Sequence, residues 1–245
     1  MVFLHGFGQT FESFKEIYGT LDGNYSCLAF HLFFHGESSM EGKKPLDPKD
    51  WIELVEKVFT QLGIEKAHWL GFSMGGKFTL LTLQHLPHLF SEITLLAPDG
   101  LVMNAWYRFA TQRFLGRFLL LVLIKYLPLL RYLILVSNKF GLIKTSVARF
   151  TEHQLSTVAK RELVLNVWLR FRNIWPTETI WRQIIAERKI PLGIVLGKHD
   201  SIITMRKLEK KRRTIPEVQW VELTAGHSNL IERFAKMLRS KLNHF

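Results

Sequence analysis

The sequence is short of sulfur: its 245 residues include one cysteine, Cys27, so no disulfide can form within the chain and nothing calls for an oxidising compartment. Long apolar runs are missing as well. The most apolar stretch, Phe118 to Val136, is interrupted by Lys125, Pro128 and Arg131, and its longest uncharged run falls well below the ~18 residues of a membrane-spanning helix. The opening residues carry no basic leader. Met1-Val2-Phe3-Leu4 runs directly into His5-Gly6, too short an apolar run for a signal peptide, so a cytoplasmic chain is expected. No His, Cys, Asp or Glu set has metal-ligand spacing, and Gly76-Lys77 lacks the surroundings of a phosphate loop, so neither a metal nor a cofactor is expected. Internal repeats and low-complexity linkers are absent too.

Acidic residues are scarce in one region only. Residues 101–190 hold 15 Lys and Arg against 4 Asp and Glu, whereas the first hundred hold 7 against 12 and the last 55 hold 11 against 5, within a formal charge of +12. Such a block binds nucleic acid, meets an anionic membrane, or is a solvated face. Its basic residues are interleaved with aliphatics more than with the aromatics that stack on bases, so nucleic acid is not expected as a partner. Stepped at ~100° per residue, Arg108, Arg113, Arg117, Lys125 and Arg131 do not gather on one side, so the sequence shows no single amphipathic surface helix.

With 47% apolar residues the chain can bury a full core, and its length suits one large α/β domain with an insertion. Short apolar runs at Val2–Leu4, Ser26–Phe30, Ala67–Leu70, Glu92–Leu96, Leu192–Leu196 and Val218–Leu223 predict strands. They alternate with helical patterns, the signature of βαβ units and a mostly parallel sheet flanked by helices. Trp51, Leu54, Val55, Val58, Phe59 and Leu62 share one helix face, with Asp47 as the cap and Pro48 in the first turn. Ile231, Phe234, Ala235 and Leu238 mark a closing helix. The alternation stops near Pro98 and resumes near Pro191, so residues 1–98 and 191–245 are read as the core and residues 99–190 as a helical cap, or lid, inserted into it.

The strongest chemical signal is Gly71-Phe72-Ser73-Met74-Gly75-Gly76, a G-x-S-x-G string between a strand and a helix expected from Lys77 to Leu86. Glycines suit a strand-to-helix turn too sharp for neighbouring side chains, and the turn pushes Ser73 out. After the first strand, the loop His5-Gly6-Phe7-Gly8-Gln9 offers the Phe7 N–H to a substrate oxygen, and Met74 at the helix start offers a second. A serine needs a base, and the base needs a carboxylate to hold its tautomer. Gly197-Lys198-His199-Asp200 places an acid after one late strand, and Ala225-Gly226-His227 a histidine after the next. In a parallel sheet those strand ends share an edge with Ser73.

HGFG, GFSMGG, GKHD and GH, in that order after successive strands, resemble the α/β-hydrolase family over most of the chain outside the insertion. The resemblance implies a triad of Ser73, Asp200 and His227 with Phe7 and Met74 in the oxyanion hole. It leaves Asp99 as an alternative acid, since some members place it there. His5, His35 and His199 are near the same sheet edge by position, but a lone histidine is more often a hydrogen-bonded structural group than a base. His31-Leu32-Phe33-Phe34-His35-Gly36-Glu37-Ser38 is similar to the family's D-x-x-G-H-G-x-S stretch but has His31 for the aspartate and Phe34 for a glycine. The family also has two strands ahead of the first one here, so either a smaller sheet or a truncated start is expected. The implied activity is hydrolysis of carboxylic esters. Trp106, Tyr107, Phe109, Phe114 and Phe118 suit an apolar, lipid-like acyl group, and the arginines suit an anionic group. Cleavage of a carbon–carbon bond by the same triad is the chemical alternative. A non-catalytic module that binds an anionic membrane surface or a partner through the insertion is the alternative of another class.

Overall fold

Apolar residues on both faces of a strand call for cover on both sides, which a parallel sheet among helices provides. The computed structural model describes the chain apart from Asp22, Asn24, Lys144, Pro216 and residues 243–245. Its strands are β1 (Val2–Leu4), β2 (Leu28–Phe30), β3 (Ala67–Phe72), β4 (Phe90–Leu96), β5 (Leu192–Gly197) and β6 (Gln219–Leu223). All pair in parallel, in the order β2-β1-β3-β4-β5-β6. Leu4 lies opposite Phe30 on one side and Gly71 on the other, and Gly197 lies opposite Leu223, so the ends of these strands open on one edge of the sheet. β2 begins at Leu28 rather than Ser26 because the register sets Leu28 opposite Val2, where β1 itself begins.

The chain divides into two compact units, one of residues 1–40, 47–102 and 174–245, the other of residues 41–46 and 103–173. In the first, α1 (Lys15–Thr20) is followed by α2 (Pro48–Gln61), where the Asp47 carboxylate accepts the Lys49 N–H at 2.9 Å. That cap satisfies a donor the helix cannot, an effect of about 1 kcal/mol. The buried face of α2 is Trp51, Val55 and Phe59. Trp69 of β3 stacks between Phe59 and Phe90, with ring centroids 5.4 and 4.6 Å away, while its indole N–H donates to the Leu89 carbonyl. α3 (Met74–His85) starts directly after Ser73, three residues earlier than expected, and its first ten residues are buried. Gly75 and Gly76 are poor helix formers, yet a Cβ on Gly75 would overlap the Leu4 carbonyl and one on Gly76 would press on Pro98. Close packing of α3 on the sheet is what retains them.

The second unit contains α4 (Ala105–Gln112), α5 (Phe114–Lys125), α6 (Leu127–Lys139), α7 (Thr145–Gln154) and α8 (Val158–Arg170). α5 and α6 meet at a bend of 105°, with Pro128 in the first turn of α6. Among the described residues no single helix is long and apolar enough to cross a membrane, although α5 and α6 taken together pass that test by length and composition. Residues 41–46 join this unit through Arg170, which is buried. Its guanidinium donates to the carbonyls of Glu41, Gly42 and Lys44, and its own carbonyl accepts the Leu46 N–H at 2.8 Å.

The chain then returns to the sheet unit with α9 (Glu178–Arg188), α10 (Met205–Thr214) and α11 (Leu230–Leu242). The insertion was expected to end at residue 190, but in the structure residues 174–190 belong with the sheet. Trp181 and Ile185 bury one face of α9, and Gln84 of α3 donates to the Thr177 carbonyl at 2.6 Å.

Candidate active site

β3 delivers the chain to Ser73, and the turn into α3 holds this residue at φ 49° and ψ −115°, a left-handed conformation that costs a side-chain-bearing residue on the order of 1–3 kcal/mol. Surrounding bonds hold it there: its N–H donates to the Leu96 carbonyl at 2.9 Å, and its carbonyl accepts from Gly76 at 2.9 Å and Asp99 at 2.8 Å. β5 and β6 bring the other two groups. Beyond β5, the N–H groups of Lys198 and His199 donate to the carbonyls of Leu223 and Ala225, so the loop bearing Asp200 is laced to the loop bearing His227.

His227 Nδ1 stands 2.6 Å from Asp200 Oδ2, and its Nε2 stands 3.1 Å from Ser73 Oγ. An ionised carboxylate only accepts, so Nδ1 carries the proton and donates it to Asp200, leaving Nε2 to accept the serine O–H. The Asp200 side chain is fully buried, and its other oxygen accepts the N–H groups of Ile202 at 2.8 Å and Ile203 at 2.9 Å. Such donors stop the carboxylate from rotating and keep Oδ2 facing His227. The alternative acid is engaged elsewhere. Asp99 accepts the Gly100 N–H at 3.0 Å and faces the buried Lys77 ammonium at 3.7 Å.

Around the loop after β1, Gly6 donates to Gln9 Oε1 at 3.1 Å, Gln9 donates back to the Gly6 carbonyl, and Gly8 donates to His35 Nε2 at 3.0 Å. Phe7, between them, donates in none of the described backbone bonds. Met74 is the first residue of α3, where the helix has no carbonyl to offer its N–H. Two of the other histidines accept backbone N–H groups as neutral rings. His5 is fully buried, and its Nε2 takes the Leu32 N–H at 3.1 Å while Nδ1–H donates to the Gly6 carbonyl at 2.8 Å. Burial first, and then the neighbouring imidazoles of His35 and His31, push its pKa down to about 4. His35 is lowered too, again mainly by burial. His199 is exposed and contributes its backbone.

The departures at His31 and Phe34 leave the turn formed. Phe34 itself adopts φ 70°, its N–H donates to the Ser38 carbonyl at 2.9 Å, and Ser38 Oγ donates to the His31 carbonyl at 2.9 Å. His31 stacks on Phe11 with ring centroids 5.0 Å apart. The accepting roles of Gln9, His5 and His35 were not legible in the sequence, where a lone histidine or glutamine carries no spacing signal.

Comparison with known proteins follows the same lines. A Mycoplasma pneumoniae protein provisionally named esterase/lipase 2 is 32% identical over 98 residues, which is 40% of this chain and 37% of that protein. Across the curated relatives, the matched stretch spans between 37% and 50% of their own lengths. Among solved structures, a thermophilic esterase from Thermogutta terrifontis superposes with a TM-score of 0.68 at 17% identity, covering 99% of this chain and 89% of that one. A meta-cleavage product hydrolase from Pseudomonas fluorescens gives 0.64 at 16% identity, covering 99% and 90%. At such identities the likeness is one of fold. The model of the alpha/beta hydrolase fold matches residues 1–128, more than half of the sequence, and with the strand order and elbow described above the chain belongs to the α/β-hydrolase family.

Proposed function

We propose that the protein is a serine hydrolase that cleaves carboxylic esters of apolar acyl groups through an acyl-enzyme on Ser73. The observation that carries this reading is the unbroken series of contacts from Ser73 Oγ through the His227 ring to Asp200, at 3.1 and 2.6 Å. Ser73 Oγ attacks the ester carbonyl carbon as His227 Nε2 takes its proton, and the Phe7 and Met74 N–H groups hold the charge that develops on the carbonyl oxygen. Collapse of the tetrahedral intermediate breaks the bond to the alkoxy oxygen, which leaves as the alcohol with the proton from His227. Water, deprotonated by the same nitrogen, then attacks the acyl carbon and releases the carboxylic acid and free Ser73. Asp200 remains ionised and steadies the imidazolium. The apolar acyl preference rests on the aromatic and leucine-rich composition of residues 103–173.

A serine-directed fluorophosphonate probe tests the nucleophile: the chain is labelled and Ser73→Ala is not. A panel of acyl esters of increasing chain length tests the substrate class, with rates rising from acetyl toward longer acyl chains. Labelling at Ser73 without turnover of any ester would transfer the reading to carbon–carbon cleavage, whereas no labelling would reject it.

A further inference from the structure

Most of the large apolar side chains that face solvent in this protein lie between Trp106 and Val158, in the helical unit. On α5, Phe114, Phe118 and Leu121 form one stripe with Leu115 and Leu119 beside it, and Phe114 is 80% exposed. On α6, Leu129, Tyr132 and Leu133 follow at i, i+3 and i+4, with Tyr132 64% exposed. Gly116 and Ile124 of α5 and Ile134 of α6 are the buried residues of these two helices, and the outward stripes are not among them. Exposed apolar stripes of this kind mark an interaction site.

The charge beside it names the partner. Residues 105–139 carry six Lys and Arg and no Asp or Glu. Arg108, Arg113, Lys125, Arg131 and Lys139 are exposed and make no ion pair among the described residues. A protein partner of matching shape would supply its own acids at particular places. An anionic bilayer meets scattered cations and apolar stripes alike, because its phosphates lie in a plane above a shallow apolar layer. A span across the membrane would drag Lys125 and Arg131 through hydrocarbon, whereas helices lying in the interface keep both at the headgroups. The two stripes lie on separate short helices that meet at the 105° bend.

We propose that the α5–α6 face docks on an anionic lipid bilayer, with Phe114, Phe118, Leu121 and Tyr132 in the interfacial layer and Lys125 and Arg131 at the phosphates. This docking is independent of the chemistry assigned to Ser73. The test is sedimentation of the full chain with vesicles of phosphatidylcholine alone and of phosphatidylcholine mixed with phosphatidylglycerol. Partition is expected to be far stronger on the anionic vesicles and to fall as salt is raised. Lys125→Gln with Arg131→Gln should weaken it about 30-fold there and leave neutral vesicles unaffected. Phe114→Ser with Phe118→Ser should weaken it by at least about tenfold on anionic vesicles, with the thermal unfolding of each variant measured alongside. Equal partition on both vesicle types, a wild-type chain that stays in the supernatant, or charge variants that bind as the parent does would overturn the proposal. So would a stable dimer in light scattering that Phe114→Ser dissociates, since a second copy would then own this face.

Discussion

The two units use their apolar residues in opposite ways. In the sheet unit, Phe3, Leu4, Trp69, Leu70, Ile93 and Leu95 are wholly withdrawn from water, and what faces outward at the strand ends is a set of fixed polar groups. In the helical unit, Phe114, Tyr132, Leu135 and Leu142 are turned outward although their burial would bring ~1.5–3 kcal/mol each. Residues in the first unit thus answer to folding and to the site. The outward residues of the second are not buried within it, and the proposal above gives them a partner outside the chain.

Substitutions can break or sharpen that contrast. The largest effect is expected at the strand ends, where Ser73→Ala should cost about 10⁴ to 10⁶ in ester turnover while leaving the unfolding curve unchanged. Asp200→Asn, isosteric but neutral, should cost about 10⁴ by permitting the wrong imidazole tautomer. Asp99→Asn keeps the backbone N–H that holds the Ser73 carbonyl and alters no side chain of the relay, so it should change turnover by a few-fold at most, and comparing the two kinetically separates the candidate acids. Trp69→Ala removes a side chain sandwiched between two rings and should cost about 3–5 kcal/mol in urea unfolding.

His5 gives a pH signature of the same unit. Its folded pKa of about 4 lies below the ordinary 6.5, so its contribution is complete above pH 6.5 and declines as the pH falls from there toward 4, by roughly 3 kcal/mol in all. Thermal unfolding between pH 6.5 and about 5, above the range where carboxylates titrate, should show the first part of that decline. A flat profile would mean that His5 is not held neutral. At the small end, Phe114→Ala in the helical unit should shift stability by no more than about 0.5 kcal/mol. A loss like that of Trp69 would erase the contrast.

How far the sequence revealed the molecule follows from the range of the forces involved. The strands and the cap at Asp47 rest on neighbours within a few residues, and they formed within two residues of where the local pattern put them. The start of α3 did not, because two glycines argue against a helix unless the nearness of Leu4 and Pro98 is known. The same holds for the edges of the insertion. Arg170 gathers residues 41–46 across more than a hundred positions, and α9 joins the sheet unit beside α3 with Trp181 and Ile185 buried, relations no window of sequence contains. At the site, Ser73, His227 and Asp200 were legible because each follows a strand in a parallel sheet, which forces the three to one edge. The acceptors His5, His35 and Gln9 were not, since nothing local distinguishes a histidine that takes a backbone N–H from one on the surface. The basic residues from Arg108 to Arg131 did not gather on one wheel because they are spread over α4, α5 and α6, and the bend after Lys125 resets the angle.

The most direct measurement is the intact mass of the protein quenched shortly after mixing with an activated acyl ester, followed by peptide mapping. The account predicts a transient gain equal to one acyl group, located on Ser73, which disappears as the carboxylic acid is released and is never seen with Ser73→Ala. Hydrolysis of the ester at an unchanged rate by Ser73→Ala, or an acyl group mapped to any other residue during turnover, would contradict it.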